Sequence, residues 1–376
     1  MVGCTLAERE ASRSPRRSSF SKTFTWKQMF PLLGKQILTL ANKPYRREWG
    51  CYLTSRIELR KSDEELLKAI FEYSPLSVAE LSRVVGKSRS WVWKKVNRLR
   101  RLGLVQVEKR GGVLRTIPTN ASYRGLLRLG ILRASEYPYI LHFKRALKSI
   151  AGSVDVLVYD EAFKLALDLA RGKVHLAMAP LPSLLAVHRI SGGGVVVVGG
   201  GSRGGAGVAL SRRAERIESV ATTMASSMEL CLEYTRVKGR RIYMRGGYEI
   251  LEAVLQGRVD AGALWQPYLD IAEGRGLGVL DCNIPFCCLL GANASLAELA
   301  GKIRTLLEQA IQKTRSGMID VVAYSSLLEL DTELVRRTLG KYEFLEEPPL
   351  SDIKNSISIL RRVVLPDSTW REAILA

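Results

Sequence analysis

The chain is 376 residues long, 47% hydrophobic, and carries 57 Lys and Arg against 37 Asp and Glu, a net charge of +20. That length exceeds one small domain and supplies material for buried cores, so two or three units are expected and wholesale disorder is excluded. No apolar run approaches the roughly 20 residues of a membrane helix, and the six cysteines show neither paired C-x-x-C knuckles nor the density of a secreted scaffold.

Residues 1–54 read as a basic arm. Ser and Arg dominate positions 1–24, where large apolar side chains are few, and Met29 is an alternative initiator. Arg16, Arg17 and Phe20 resemble a twin-arginine export signal, but Lys35 and Lys43 break the apolar stretch that follows, so a cytoplasmic location is expected. Leu32, Leu33, Ile37 and Leu38 allow one short packing helix. Residues 1–120 hold 25 Lys and Arg against 10 Asp and Glu, which puts +15 of the +20 at this end.

Residues 55–122 carry three amphipathic helix patterns and a hairpin. Ser62 is the expected cap of the first, with Asp63, Glu64 and Glu65 complementing the helix dipole and Leu66, Leu67, Ile70 and Phe71 on one face. Ser77 opens the second, with Glu80 at the capping-box position, Val78, Leu81 and Val85 inward, and Gly86 as the stop. Ser88 caps the third, in which Val92, Val96 and Leu99 recur at helical spacing and Gly103 ends the run. Helical geometry turns Arg89, Ser90, Trp93, Lys94, Asn97 and Arg101 outward. Leu104–Lys109 and Val113–Pro118 then pair as a hairpin about Arg110, Gly111 and Gly112. From Lys87 to Arg101 the basic residues are Lys87, Arg89, Lys94, Lys95, Arg98, Arg100 and Arg101, with no acid among them, a field of the kind phosphate backbones attract.

The stretch LSVAELSRVVGKSRSWVWKKVNRLRRLGLVQVEKRGG, Leu76 to Gly112, resembles the winged helix-turn-helix DNA-binding domains of bacterial and archaeal regulators. The resemblance implies a third helix in the major groove of double-stranded DNA, with the hairpin as a wing on the adjacent backbone. It puts Ser88, Arg89, Ser90 and Lys94 at positions that face DNA, flanked by Lys87 and by Arg110 of the wing. Arg89 suits guanine and Asn97 adenine, whereas Lys94, Lys95 and Arg101 suit phosphates. Trp91 and Trp93 stand where small or polar residues are common, which leaves the base preference open. The alternative is a protein-docking or chromatin-type winged helix with an ordinary solvated charged face.

From Gly125 onward strands and helices alternate. Strands are expected at 126–132, 154–159, 174–179 and 195–198, with helices at 137–149, 161–171 and 181–187 between them. A second alternation places strands at 219–222, 241–244 and 261–264 and helices at 227–237, 248–256 and 267–273. Such succession predicts an α/β fold with mainly parallel sheets, in two lobes joined near Gly207–Leu210 and Phe286–Leu290, with ligands at the carboxyl ends of the strands. Residues 295–376 read as mostly helical.

Within 123–376, ALDLARGKVHLAMAPLPSLL (Ala166–Leu185) and ILEAVLQGRVDAGALWQPYLDIAEGRG (Ile250–Gly276) resemble the two-lobed, type 2 periplasmic-binding-protein fold, in the branch that binds nitrate, sulfonates, taurine or thiamin pyrimidine precursors. Each runs helix, glycine, basic residue, valine, strand. The resemblance implies a small-molecule effector held between the lobes. Strand ends and helix starts nominate Ser135, Tyr137, Pro180, Leu181, Thr223, Ser226, Ser227 and Arg245, with Trp265 and Tyr268 as an aromatic wall. Hydroxyls at helix amino termini, together with Arg245, predict an anionic ligand. Preceded by a DNA-binding pattern instead of a lipobox, the fold is expected to serve as an internal sensor, analogous to the effector half of LysR-type regulators. A homodimer is expected, because operator symmetry calls for two reading heads. The alternative is an enzyme of the same fold such as a thiamin-pyrimidine synthase, whose characteristic cysteine run is not matched by Cys287 and Cys288.

Three sharper motifs are set aside. Gly199, Gly201 and Gly204 spell a dinucleotide fingerprint, but Ala206–Leu210 reads as a strand, leaving a pyrophosphate no helix dipole. His142, His175 and His188 are scattered, so Cys282, Cys287 and Cys288 are expected to be buried structural thiols instead of metal ligands. No serine, histidine and acid arrangement can be argued. No catalytic group, cofactor, metal or membrane partner is expected.

Overall fold

The computed structural model describes residues 56–360. The expected basic arm and short helix of residues 1–54 lie outside the described residues, as does the end of the carboxyl-terminal helical stretch.

In the amino-terminal part, α1 (Lys61–Tyr73), α2 (Val78–Val85) and α3 (Arg89–Arg101) bury Leu66, Leu67, Ile70, Phe71, Leu81, Val92, Val96 and Leu99 in one core. The capping box is formed: the Ser77 hydroxyl accepts from the Glu80 amide (3.3 Å), and Glu80 Oε2 accepts from the Ser77 amide (2.7 Å). Ser88 Oγ accepts from the Trp91 amide (3.3 Å), and Gly86 ends α2 at φ +63°, a conformation that favours glycine. Ser62 does not cap α1. The helix starts two residues earlier, after Arg60, and the Ser62 hydroxyl accepts from Lys95 Nζ (2.8 Å) instead. The hairpin of β2 (Val105–Arg110) and β3 (Val113–Pro118) gains a third strand, the two-residue β1 (Leu76–Ser77), in the antiparallel order β1-β3-β2.

The remainder contains two five-stranded sheets. The first is built from β4 (Leu126–Leu132), β5 (Ser153–Tyr159), β6 (Leu176–Ala179), β7 (Val195–Gly199) and a late arrival, β14 (Leu289–Asn293), in the order β5-β4-β6-β14-β7. Between these strands run α4 (Ile140–Leu147), α5 (Ala162–Ala170) and α6 (Leu181–Ile190). After β8 (Ser202–Gly204) the chain enters the second sheet, made of β9 (Ala206–Leu210), β10 (Ser219–Thr222), β11 (Arg240–Tyr243), β12 (Ala261–Trp265) and β13 (Gly278–Asp281), in the order β11-β10-β12-β9-β13. Its helices are α7 (Ser227–Thr235), α8 (Gly247–Leu255) and α9 (Tyr268–Gly274). Returning to the first lobe, the chain adds α10 (Ala300–Arg315), α11 (Val321–Leu328), α12 (Thr332–Leu339), β15 (Tyr342–Phe344) paired with β8, and α13 (Leu350–Leu360).

Both sheets follow one plan: second, first, third, crossing strand, fourth. The expected parallel sheets therefore each contain one antiparallel strand, β9 or β14. These are the strands on which the chain changes lobe, so they enter their sheets from the opposite end. A second correction concerns cysteine. Cys282 follows β13 directly, meets buried Cys231 of α7 at a Cα separation of 5.3 Å, and forms a disulfide with it, so it is not a free thiol.

The amino-terminal part is tied to the first lobe at several points. The Phe71 and His175 rings meet at right angles (5.0 Å between centroids), Glu72 pairs with Arg128 (3.2 Å) and Lys68 with Asp155 (3.4 Å). Leu126, the first residue of β4, belongs to the amino-terminal core. Among the described residues no helix is long and apolar enough to cross a membrane.

Candidate functional site

Two regions concentrate unusual chemistry. The first is the outer face of α3. Arg89, Ser90, Trp93, Lys94, Arg100 and Arg101 are exposed, as are Lys87 and the capping Ser88. Trp93 leaves 37% of its surface in solvent beside these cations. Asn97 is half-buried, and Arg110 is exposed but paired with Glu108 (2.7 Å). Lys95 is placed differently from the expectation. Its Nζ lies 2.8 Å from Asp63 Oδ1 and over the Trp91 ring (5.5 Å), and Arg98 Nε lies 3.4 Å from Asp63 Oδ2. Asp63 is fully buried, and a buried carboxylate is stable only when paired. Two of the seven cations are therefore drawn inward, and Lys87, Arg89, Lys94, Arg100 and Arg101 remain on the surface.

The second region is a cavity of about 20 Å³ between the lobes, roughly the space of one water. Its walls are Leu132, Ala134 and Glu136 from the end of β4, Asp160 and Ala162 after β5, Pro180 before α6, Thr223, Ser226, Ser227 and Met228 around the start of α7, Trp265 ending β12, and Cys287 and Cys288 on the return crossing. Hydrogen bonds hold the lobes together around it. Ser183 Oγ donates to the Ala225 carbonyl (2.5 Å), Trp265 Nε1 to the Arg133 carbonyl (3.2 Å), and the Ser135 amide to the Gln266 carbonyl (3.2 Å). The two crossings run side by side, the Cys287 amide donating to the Ser202 carbonyl (2.7 Å).

Of the nominated residues, Pro180, Thr223, Ser226, Ser227 and Trp265 reach this cavity. The hydroxyls of Thr223 and Ser226 also serve the helix: Thr223 Oγ1 donates to Ser226 Oγ (2.7 Å), which accepts from the Met228 amide (3.1 Å). The other five do not line it. Ser135 Oγ accepts from Thr338 (2.9 Å), and Leu181 is buried in the core of the first lobe. Tyr137 is fully buried, its amide donating to Tyr324 Oη (2.8 Å). Tyr268 stands edge-on behind Trp265 (5.7 Å), where burial pushes its hydroxyl pKa up to about 12. Arg245 is exposed at the end of the edge strand β11, its amide donating to Glu249 (2.9 Å). No Lys or Arg lines the cavity, so the expectation of an anionic ligand loses its cation.

In place of a cation the cavity holds acids. Glu136 is buried and accepts from the Ser202 hydroxyl, and desolvation raises its carboxyl pKa. Cys287 Sγ and Cys288 Sγ lie 3.6 Å apart, and the ligand atoms of Glu136, Cys287 and Cys288 all fall within 4.8 Å of one another. Burial also pushes the hydroxyls of Tyr137, Tyr139, Tyr324 and Tyr342 well above their usual range. The three-residue cluster was missed in the sequence because no histidine accompanied the cysteines. The usable signal was that Glu136 follows a strand end while Cys287 and Cys288 precede a strand that returns to the same sheet.

A family model described as HVO_A0114 matches residues 58–117. No curated protein matches the chain. Among solved structures, the chain is similar to the ligand binding component of an ABC-type import system from Staphylococcus aureus with zinc bound, at a TM-score of 0.51 and 12% identity, covering 63% of this chain and 91% of that one. It is also similar to the periplasmic aliphatic sulphonate binding protein from Escherichia coli (TM-score 0.45, 17% identity, 58% and 80% covered). A third is the periplasmic nitrate-binding protein from Synechocystis PCC 6803 (TM-score 0.46, 13% identity, 57% and 69% covered). The first of these shows the fold: the two-lobed part of the chain is periplasmic-binding-protein-like, of type 2.

Proposed function

We propose that the protein is a ligand-responsive DNA-binding regulator, in which a winged helix-turn-helix domain of residues 55–122 is governed by a two-lobed sensor of residues 123–376. The observation that carries this reading is the outer face of α3, where Lys87, Arg89, Lys94 and Arg101 stand exposed around Ser90 and Trp93, with the hairpin beside them. Such a face suits a phosphate backbone. Arg89, in the first turn, is the base-reading side chain, and Lys94 and Arg101 are phosphate contacts; Lys95 is withdrawn from that role by Asp63. The two-lobed fold supports a small effector bound between the lobes, and the acids around the cavity favour a neutral or cationic one. The protein acts as a homodimer on paired half-sites, and its DNA partner implies a cytoplasmic location.

The test is binding of the full chain to labelled duplex DNA across a range of salt. A steep fall of affinity with salt is expected. Lys94→Ala reduces the slope by about 1 and weakens all sequences alike, whereas Arg89→Ala also blurs base preference. Salt-independent binding, or none, overturns the reading.

A further inference from the structure

We propose that Glu136, Cys287 and Cys288 form a binding site for one thiophilic divalent cation of the zinc class, placed in the cavity between the lobes. This deepens the sensor reading by naming the chemistry of its effector, and the site itself does not depend on DNA binding.

Four observations converge. Two sulfurs at 2.3 Å from a tetrahedral zinc ion stand about 3.8 Å apart, and Cys287 Sγ and Cys288 Sγ are 3.6 Å apart. A carboxylate is the third donor, with all three ligand atoms within 4.8 Å of one another. The longest of these separations can exceed a tetrahedral edge by about 1 Å, which a small rotation of the Glu136 side chain closes. The adjoining space of about 20 Å³ suits one ion. No Lys or Arg lines the cavity, so no side-chain cation in the lining competes with a metal ion for these donors.

The support around the ligands has the form of a metal centre. Ser202 Oγ donates to Glu136 Oε1, and the Ser202 carbonyl accepts from the Cys287 amide (2.7 Å). One residue of the outward crossing thereby orients two ligands, the role that hydrogen-bond partners play around metal sites. The ligands come from the first lobe and the return crossing, while Thr223, Ser226 and Trp265 of the second lobe close over them. An ion bound there would touch both lobes and favour the closed arrangement.

The experiment is a cobalt(II) titration of the reduced, metal-stripped full-length protein, read by thiolate-to-cobalt charge-transfer absorption and followed by zinc displacement. The expected result is one saturating equivalent assignable to this site, lost on adding zinc. Cys287→Ser/Cys288→Ser removes that absorption, and any signal from the other cysteines persists in this variant and is subtracted. Glu136→Gln, which keeps the shape of the side chain, and Ser202→Ala each weaken binding by about 10-fold or more. Thermal melting of each metal-free variant establishes that it is folded; if the double serine variant is not, the isosteric Glu136→Gln decides. A wild-type protein without the band, or a folded double variant whose band is as strong as that of the wild type, overturns the proposal, as does unchanged affinity in Glu136→Gln. Absence of DNA binding in a parallel duplex titration would overturn the regulator reading and leave the cobalt result standing.

Discussion

Asp63 separates side chains that composition treats alike. Lys94 and Lys95 are neighbours in the sequence, yet one faces solvent and the other neutralises a fully buried carboxylate. Lys95→Ala should therefore cost stability, on the order of 2 kcal/mol because Arg98 remains as a partner, while leaving the salt dependence of DNA binding unchanged. Urea denaturation beside duplex titration separates the two effects; Lys94→Ala should show the reverse pattern. His175 gives a second test at this scale. Burial, and then the nearby Arg128 charge, lower its pKa from 6.5 to about 3. The folded protein thus binds fewer protons than the unfolded chain between those values, so this contribution is complete above pH 6.5 and declines as pH falls towards 3. Glu80, lowered to about 2 chiefly by the Ser77 backbone hydrogen bond, acts only below its ordinary value of 4.5, whereas Glu136 and Glu229, raised by burial, act above it in the opposite sense, so the histidine is read from the difference between wild type and variant. As pH falls from 6.5 to 5, the melting temperature of the wild type should drop relative to that of a variant without the imidazole. His175→Asn, which keeps an acceptor near the Arg128 amide, should flatten the slope. Equal slopes in the two proteins would remove His175 from the account.

At the scale of elements, what could be read in advance was mostly what leaves a pattern over four or more residues. Helices α2 and α3 were legible with their caps because Ser77, Glu80, Gly86 and Ser88 act on neighbours only a few positions away. Strand β1 has two residues and no period, and β8 and β15 have three each, so they were not read. Strand direction was equally silent: β9 and β14 are as apolar as their parallel neighbours, and burial pattern carries no sense of direction. At the cavity, Thr223, Ser226 and Trp265 were legible because strand ends point to a cleft, whereas the Glu136 cluster needed the return crossing to be placed. The segment before α1 offers a prediction. Ile57 N donates to the Arg124 carbonyl (2.7 Å), and a Cβ on Gly152 would lie 1.9 Å from the Ile57 carbonyl oxygen. Gly152→Ala must push residues 56–60 away, at a cost of about 1–3 kcal/mol. Faster tryptic cleavage at Arg56 or Arg60 would report it, and cleavage at the wild-type rate would refute the close approach.

For the whole molecule, the connection between the two halves is short and ordered. Ser122 is buried and its hydroxyl donates to the Thr119 carbonyl (2.6 Å). It is not the only tie, since α1 meets the first lobe through Phe71, Glu72 and Lys68. If an effector changes DNA affinity by about 5- to 150-fold, the common range of allosteric coupling, a ten-residue Gly/Ser insertion after Asn120 should diminish that factor without erasing it. Combining the insertion with Glu72→Ala and Lys68→Ala should erase it. Complete uncoupling by the insertion alone, measured as DNA affinity with and without effector, would assign all transmission to the connection. The sheet order has a different consequence, for the order of events at the ribosome. Strand β7 has a single neighbour, β14, and β14 leaves the ribosome only after the entire second lobe. Residues 206–281, by contrast, contain every strand of their own sheet. Domains usually fold from the amino end as they emerge, but this strand order predicts that the later lobe closes first, and that limited proteolysis of stalled nascent chains finds the earlier one sensitive until residues 289–293 arrive to fill the gap beside β7.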